Sequence, residues 1–242
     1  MWREALKDQN NDLYEAAWLL FTPGVSVETA TQRLDDKKDA VVELLKNVLD
    51  EDELYDEDSY GDGGAPVKAI YLLGEWNVAD ALPNLLEVLE VSENNEKVRE
   101  AVMVSLRNMG TDIIDGVIAW GTDNPEFSLE AADILSTIGQ SNEAARAYIT
   151  AWVEKEDDDL EYYIDRLINV DPDAAQDYLE NFKTEDKDNH KLFRSKAREA
   201  KKKARENAEK RLKEARQTGA SQDQPEPETV DNSEPLDDNE EE

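Results

Sequence analysis

Apolar residues in this chain recur at intervals of three and four positions, the spacing of a helix face, and no run shows the sustained alternation of a strand. Within Ala65 to Asn77, residues Ala69, Leu72, Leu73 and Trp76 stand at i, i+3, i+4 and i+7. Pro66 suits the first turn, where its missing N–H costs nothing. Asn77 ends this helix, and Val78 to Leu89 supplies a second, with Ala81, Leu82, Leu85, Leu86 and Leu89 on its buried side. Moved on by 33 residues, the pattern returns. Leu106 falls on Leu73, Met109 on Trp76 and Gly110 on Asn77, and Ile113, Ile114, Val117 and Ile118 mark the partner helix. Gly110 is well placed for the left-handed residue that closes a helix. A further step of 29 puts Leu135, Ile138 and Gly139 in the same three places, with Ala144, Ala145, Tyr148, Ile149 and Trp152 behind them.

Weaker copies flank these three. Leu160 to Phe182 carries Leu167 and Val170 before a break at Asp171-Pro172. At the other end, Tyr14 to Phe21 predicts a first helix and Ala40 to Leu49 a second, with Ala40, Leu44, Leu45 and Val48 matching Ala81, Leu85, Leu86 and Leu89 at an offset of 41. Thr22 to Lys38 reads as an inserted loop with a short extra helix, and the acidic, glycine-bearing stretch 50–64 as a mobile loop. Helix pairs repeating at about thirty residues point to an all-α fold, a short alpha-solenoid over 1–184, since each pair buries its apolar face against its neighbours. An ordinary helical bundle is the competing arrangement, and the three aligned endings weigh against it.

At Val98-Arg99 with Gly110, and at Val67-Lys68 with Leu73-Gly74, the chain resembles the HEAT-repeat superfamily, in particular the short repeats named after the phycobilisome lyases. The resemblance covers residues 65–150. It implies a curved scaffold whose second helices line a concave, partner-binding face, and by itself it does not imply lyase activity.

Charge adds a second layer. The formal net charge is -32. Residues 1–184 hold 42 acidic and 14 basic side chains, 185–217 hold 7 and 13, and 218–242 hold 10 acidic side chains with no Lys or Arg. Such acidity suits either a surface for basic partners or adaptation to high salt, where screening removes self-repulsion. The acid is spread over the whole body, which favours salt adaptation and resembles the proteins of halophilic archaea. Residues 185–217 predict one long charged helix with few apolar positions beyond Leu192, Phe193 and Leu212, and Glu199-Lys203, Glu206-Lys210 and Glu209-Lys213 as stabilising pairs. Its basic side chains Arg198, Lys201, Lys202, Lys203 and Arg205 are candidate contacts for nucleic acid or an acidic protein. The proline-bearing acidic stretch 218–242 reads as a disordered tail.

Candidate chemistry is sparse. The chain has no cysteine and one histidine, His190, set among charged residues as an exposed helix-start position. Runs such as Asp50-Glu51-Asp52-Glu53 lack the calcium-loop pattern, and neither a phosphate-cradling loop nor a nucleophile elbow occurs. No catalytic residue, metal site or cofactor is expected. Of the five tryptophans, Trp76 and Trp152 fall in line with core positions; Trp120, beside Gly121, is the best candidate for partial exposure and partner contact, although a place in the core is favoured even there. The start of the chain lacks a signal-peptide pattern and the longest apolar run, Ala16 to Phe21, is too short to span a bilayer, so a cytoplasmic protein is expected. These features predict a noncatalytic scaffold or adaptor that binds a protein or peptide. An accessory subunit of a modifying enzyme, or nucleic-acid association through the basic helix, are the alternatives.

Overall fold

A computed structural model of the chain describes residues 1–155, 158–182 and 187–219; the side chains of Lys187, His190 and 215–219 lie outside the description. The expectations for His190 and for the stretch beyond 219 therefore fall outside the described residues. Within them the protein is all-helical, with no strand. The α-helices are α1 (Trp2–Ala5), α2 (Tyr14–Phe21), α3 (Val27–Leu34), α4 (Lys38–Leu49), α5 (Gly64–Glu75), α6 (Leu82–Val91) and α7 (Glu96–Asn108). They continue with α8 (Ile114–Asp123), α9 (Ser128–Ile138), α10 (Glu143–Val153), α11 (Leu160–Val170), α12 (Pro172–Asn181) and α13 (Lys187–Gly219). No helix among the described residues is long and apolar enough to cross a membrane.

The ends of these helices are chemically determined. Ser26, Asn95, Asn142 and Asp171 each cap the helix that follows with a side-chain oxygen that accepts a backbone N–H, and Pro172 occupies the first turn of α12. Gly110 and Asn77 take the left-handed conformation, at φ 70° and 52°. Gly139, which shares their register position, does not. There Ser141 turns left-handed at φ 60°, its N–H donated to the Val170 carbonyl at the end of α11. Gly139 is set by crowding instead: a Cβ on it would meet the Ala145 Cβ at 2.5 Å.

Contacts follow chain order. One set of helices packs in succession, α2 on α5, α5 on α7, α7 on α9 and α9 on α11. The other set, α4, α6, α8 and α10, packs each member against the first-set helix that follows it. Leu73, Leu106 and Leu135, aligned by the repeat, are all 0% exposed. Ala40 and Ala144 were expected in the core and are exposed; Val41 and Ala145 take the buried positions, so the apolar stripes of α4 and α10 begin one residue later than the offsets predict.

Polar contacts join the first set along its length. Lys68 on α5 donates to the carbonyls of Leu19, Leu20 and Thr22 at 3.2, 2.9 and 2.8 Å, closing the C-terminus of α2 with a cation. Burial pushes its pKa down. Arg99 and Arg107 of α7 pair with Glu130 and Asp133 of α9. Asp133 also receives Arg166 of α11 at 2.7 Å.

Residues 50–64 are packed rather than loose. A 3₁₀ turn over Asp52–Tyr55 buries Leu54, Tyr55 donates its hydroxyl to the Leu49 carbonyl at 2.9 Å, and Tyr60 lies against Trp2 and Phe21. The compact unit runs from Met1 to Lys201 and so includes the first part of α13. Phe193, Ala197 and Ala200 form its buried stripe, Phe193 stacks 4.5 Å from Phe182, and Lys196 reaches Asp165 at 2.5 Å and Glu161 at 3.0 Å. From Lys202 onward the helix is a separate unit, with ion pairs Lys202–Glu206 and Lys210–Glu214 at 3.8 and 4.0 Å and an exposed Leu212.

Candidate functional site

A well-defined opening lies between two second-set helices. A cleft of about 630 Å³ separates the C-terminal ends of α4 and α6, closed on a third side by the start of α7. Its floor is apolar. Leu49, Val88 and Val98 show their edges there while remaining 4%, 4% and 2% exposed, whereas Val91 stands 73% exposed at the rim. Val91 sits off the stripe made by Leu82, Leu85, Leu86 and Leu89, on the side of α6 that a polar residue normally occupies.

Acidic groups line the same opening. Asp50, Asp52 and Glu87 border it, and Asn84 ties α6 to Asp50 at 3.1 Å. Tyr55 forms part of the wall. Burial raises its phenol pKa far above the ordinary value, and the charges of Asp52, Asp50 and Glu87 add to the effect. The site is thus an apolar floor under a negative rim, held by fixed helix ends: Asn95 caps α7 and buried Ser92 donates to the Leu89 carbonyl at 3.2 Å. Such a surface can accept an apolar side chain and orient a positive one.

A second opening of about 430 Å³ lies on α10 and α12, floored by Ala147, Ala151 and Ala174. The Arg146–Asp171 pair, at 2.8 Å, lies along its edge. Second-set helices contribute to both clefts, beside Val98 of α7 in the first and Leu167 of α11 with α12 in the second. No group of three or more His, Asp or Glu side chains among the described residues is arranged to hold a metal ion.

The site residues expected from the sequence lie elsewhere. Trp120 on α8 is only 8% exposed, donates its indole N–H to Glu90 at 2.6 Å and stacks on Phe127 at 5.4 Å. Its N–H and its flat face are both satisfied internally, so it offers no platform to a partner. Arg198 and Lys201 are exposed on the last part of the compact unit; Lys202 and Arg205 are exposed, and Lys203 half-buried, on the unit that follows. Lys202 faces Glu206 at 3.8 Å, which dilutes the positive field at that point. Val91 and Glu87 were not singled out from the sequence, although the off-stripe position of Val91 was there to be read, and Asp50 and Asp52 were read only as part of an acidic run without the calcium-loop pattern. No protein-family model, curated protein or solved structure matches the chain.

Proposed function

We propose that this protein is a noncatalytic binding scaffold, a HEAT-like alpha-solenoid whose second helices take a segment of a protein partner into the α4–α6 cleft. The observation that carries this reading is the exposed Val91 above an apolar floor, at a cleft of about 630 Å³. Dispersed acidity alone would suit salt adaptation. An apolar side chain left in solvent at the rim of a cleft serves no such purpose and is a mark of an interaction site. The chain-order contacts of the helices support the solenoid, because nearest-neighbour packing is what separates a repeat array from a bundle. The partner segment presents one apolar side chain to Leu49, Val88 and Val91 and basic residues to Asp50, Asp52 and Glu87.

Fluorescence anisotropy tests this with short labelled peptides that pair a central Leu or Phe with flanking Lys or Arg. Binding should saturate and should survive molar potassium chloride in weakened form, because the apolar contact is not screened. Val91→Glu should weaken it by roughly tenfold or more, the effect of losing a central anchor. Equal binding of an acid-flanked peptide, or an unchanged affinity in Val91→Glu, would refute the reading.

A further inference from the structure

Trp18 is out of place. Helix α2 reads Tyr-Glu-Ala-Ala-Trp-Leu-Leu-Phe, and Ala16, Ala17, Leu19, Leu20 and Phe21 are all buried, yet Trp18 between them is 40% exposed. Across a cleft of about 390 Å³ from it stands Tyr60, 59% exposed, with Phe21 at the base. Packing explains neither exposure.

Tyr60 is held in place at a conformational cost. The next three residues, Gly61, Asp62 and Gly63, all have positive φ, at 93°, 56° and 67°. Gly61 admits no side chain, because a Cβ would lie 3.0 Å from the Phe21 ring, and one on Gly63 would lie 3.2 Å from the carbonyl oxygens of Tyr55 and Asp56. Asp62 shares the left-handed conformation without being glycine. This backbone sets the Tyr60 ring 5.4 Å from Phe21 and 5.6 Å from Trp2, and places Asp62 on the cleft. The turn thus holds an exposed aromatic beside a carboxylate.

The electrostatics select a cation. No Lys or Arg occurs between Lys46 and Lys68, while Asp56, Asp58 and Asp62 surround Tyr60. The nearest basic groups are already engaged and do not line the cleft: Arg33 pairs with Glu15 at 2.6 Å and lies 6.0 Å over the Trp18 ring, Arg3 pairs with Glu51 at 2.9 Å and lies 4.5 Å over Trp2, and Lys68 holds its three carbonyls. Aromatic faces elsewhere in the protein attract such groups, as Lys155 lies 3.0 Å over Trp152 and Arg166 4.0 Å over Tyr162. We propose that the cleft between Trp18 and Tyr60, based by Phe21 and edged by Asp62, binds an alkylated ammonium group. Aromatic walls stabilise a positive charge through the ring quadrupole, and alkylation lowers the hydration that a bare ammonium would surrender on entry. The group can be carried by a free quaternary amine or by a methylated lysine of another protein; both present the same chemistry. This site is separate from the α4–α6 cleft and does not depend on it.

The test is titration of the full chain with tetramethylammonium chloride, followed by the Trp indole N–H signals in ¹⁵N-correlated NMR, with total ionic strength held constant by potassium chloride. Saturable binding that shifts the Trp18 signal is expected. Trp18→Ala and Tyr60→Ser should each weaken it by about tenfold, the size of one cation–π contact in a partly desolvated site. Both side chains are exposed, so the fold should survive; the unchanged indole signals of Trp76 and Trp120 check that it does. Choline should bind as tetramethylammonium does, and 3,3-dimethyl-1-butanol, its neutral carbon analogue of the same shape, should bind at least tenfold more weakly than choline. Equal binding of the neutral compound, or a response that never saturates, overturns the proposal. A trimethyllysine peptide that binds more tightly than both tetramethylammonium and its unmethylated counterpart assigns the group to a protein. Binding no tighter than tetramethylammonium assigns it to a free amine.

Discussion

The seam between α5 and α7 and the gap between α4 and α6 involve neighbouring helices but are built in opposite ways. At the seam, backbones nearly touch: a Cβ on Gly74 would lie 2.7 Å from the Ser105 Cα, and Leu73 and Leu106 are wholly buried beside it. At the gap, α4 and α6 diverge around a cleft of about 630 Å³, and Val91 faces solvent. Apolar area removed from water is what stabilises such a domain, so the first-set helices hold the structure together. The second-set helices keep their outer faces free. The contrast is not uniform along the chain. Between α8 and α10, Gly121 leaves room for the Tyr148 hydroxyl, which a Cβ there would meet at 2.4 Å.

The largest effect should come from breaking the seam. Leu73→Ala, Leu106→Ala and Leu135→Ala each remove a fully buried side chain, and each should cost on the order of 2–5 kcal/mol. Urea unfolding followed by circular dichroism checks this; losses below about 1 kcal/mol at all three would mean that the seam is not the load path.

Glycines sharpen the comparison at smaller amplitude. Gly74→Ala forces a methyl against the backbone of α7, which cannot yield locally, and should destabilise by roughly 1–3 kcal/mol despite the helix propensity gained. In Gly116→Ala the obstacle is the terminal methyl of Leu82, the end of a flexible side chain. There the propensity gain of about 1 kcal/mol largely offsets the crowding, and the urea midpoint should hardly move. If the two variants behave alike, the seam is no tighter than the second-set surface.

What the sequence made legible follows from what its pattern encodes. Burial at Leu73, Leu106 and Leu135 was readable because each lies on an amphipathic stripe with polar residues on the other face. The left-handed turn at Gly110 was readable for the same local reason. Trp18 was not, since the run Ala-Ala-Trp-Leu-Leu-Phe is apolar all round and carries no sign of which side faces out. The packing of 50–64 was also hidden. Its acidity signals a solvated loop, while two residues, Leu54 and Tyr55, anchor it through contacts distant in sequence. The cleft itself is a spacing between helices, and no single-residue pattern encodes spacing.

High pH should probe the α8–α10 part of the second set. Burial pushes the pKa of Tyr148 from 10.0 up to about 12. The unfolded chain releases that proton near pH 10 while the folded protein still holds it, so stability is full below about pH 10 and falls as pH rises toward 12. Lys196 acts in the same direction. Burial lowers its pKa, but Asp165 and Glu161 outweigh that and raise it above 10.5, so its contribution is present below 10.5 and lost as pH climbs through the raised value. The urea midpoint should therefore drop between pH 9 and pH 11, and Tyr148→Phe should make the drop shallower. An equal drop in that variant would assign the loss to other groups.

The smallest expected effect is the most discriminating for the proposed function. Val91 is 73% exposed, so replacing it removes little buried area. Val91→Ser should change folding stability by no more than about 0.5 kcal/mol, the range typical of surface positions. The β-branched side chain it removes also has a slightly lower helix propensity than the ideal, so no compensating local loss is expected. The same substitution should nevertheless reduce binding of the apolar–basic peptide, because Val91 is the exposed apolar residue at the rim of the cleft. A residue that leaves the urea midpoint in place while lowering peptide affinity acts through binding alone. A midpoint shift comparable to that of Leu73→Ala would instead show that Val91 supports the fold, and the distinction between a packed seam and an open, receptive gap would fail at the residue on which it depends most.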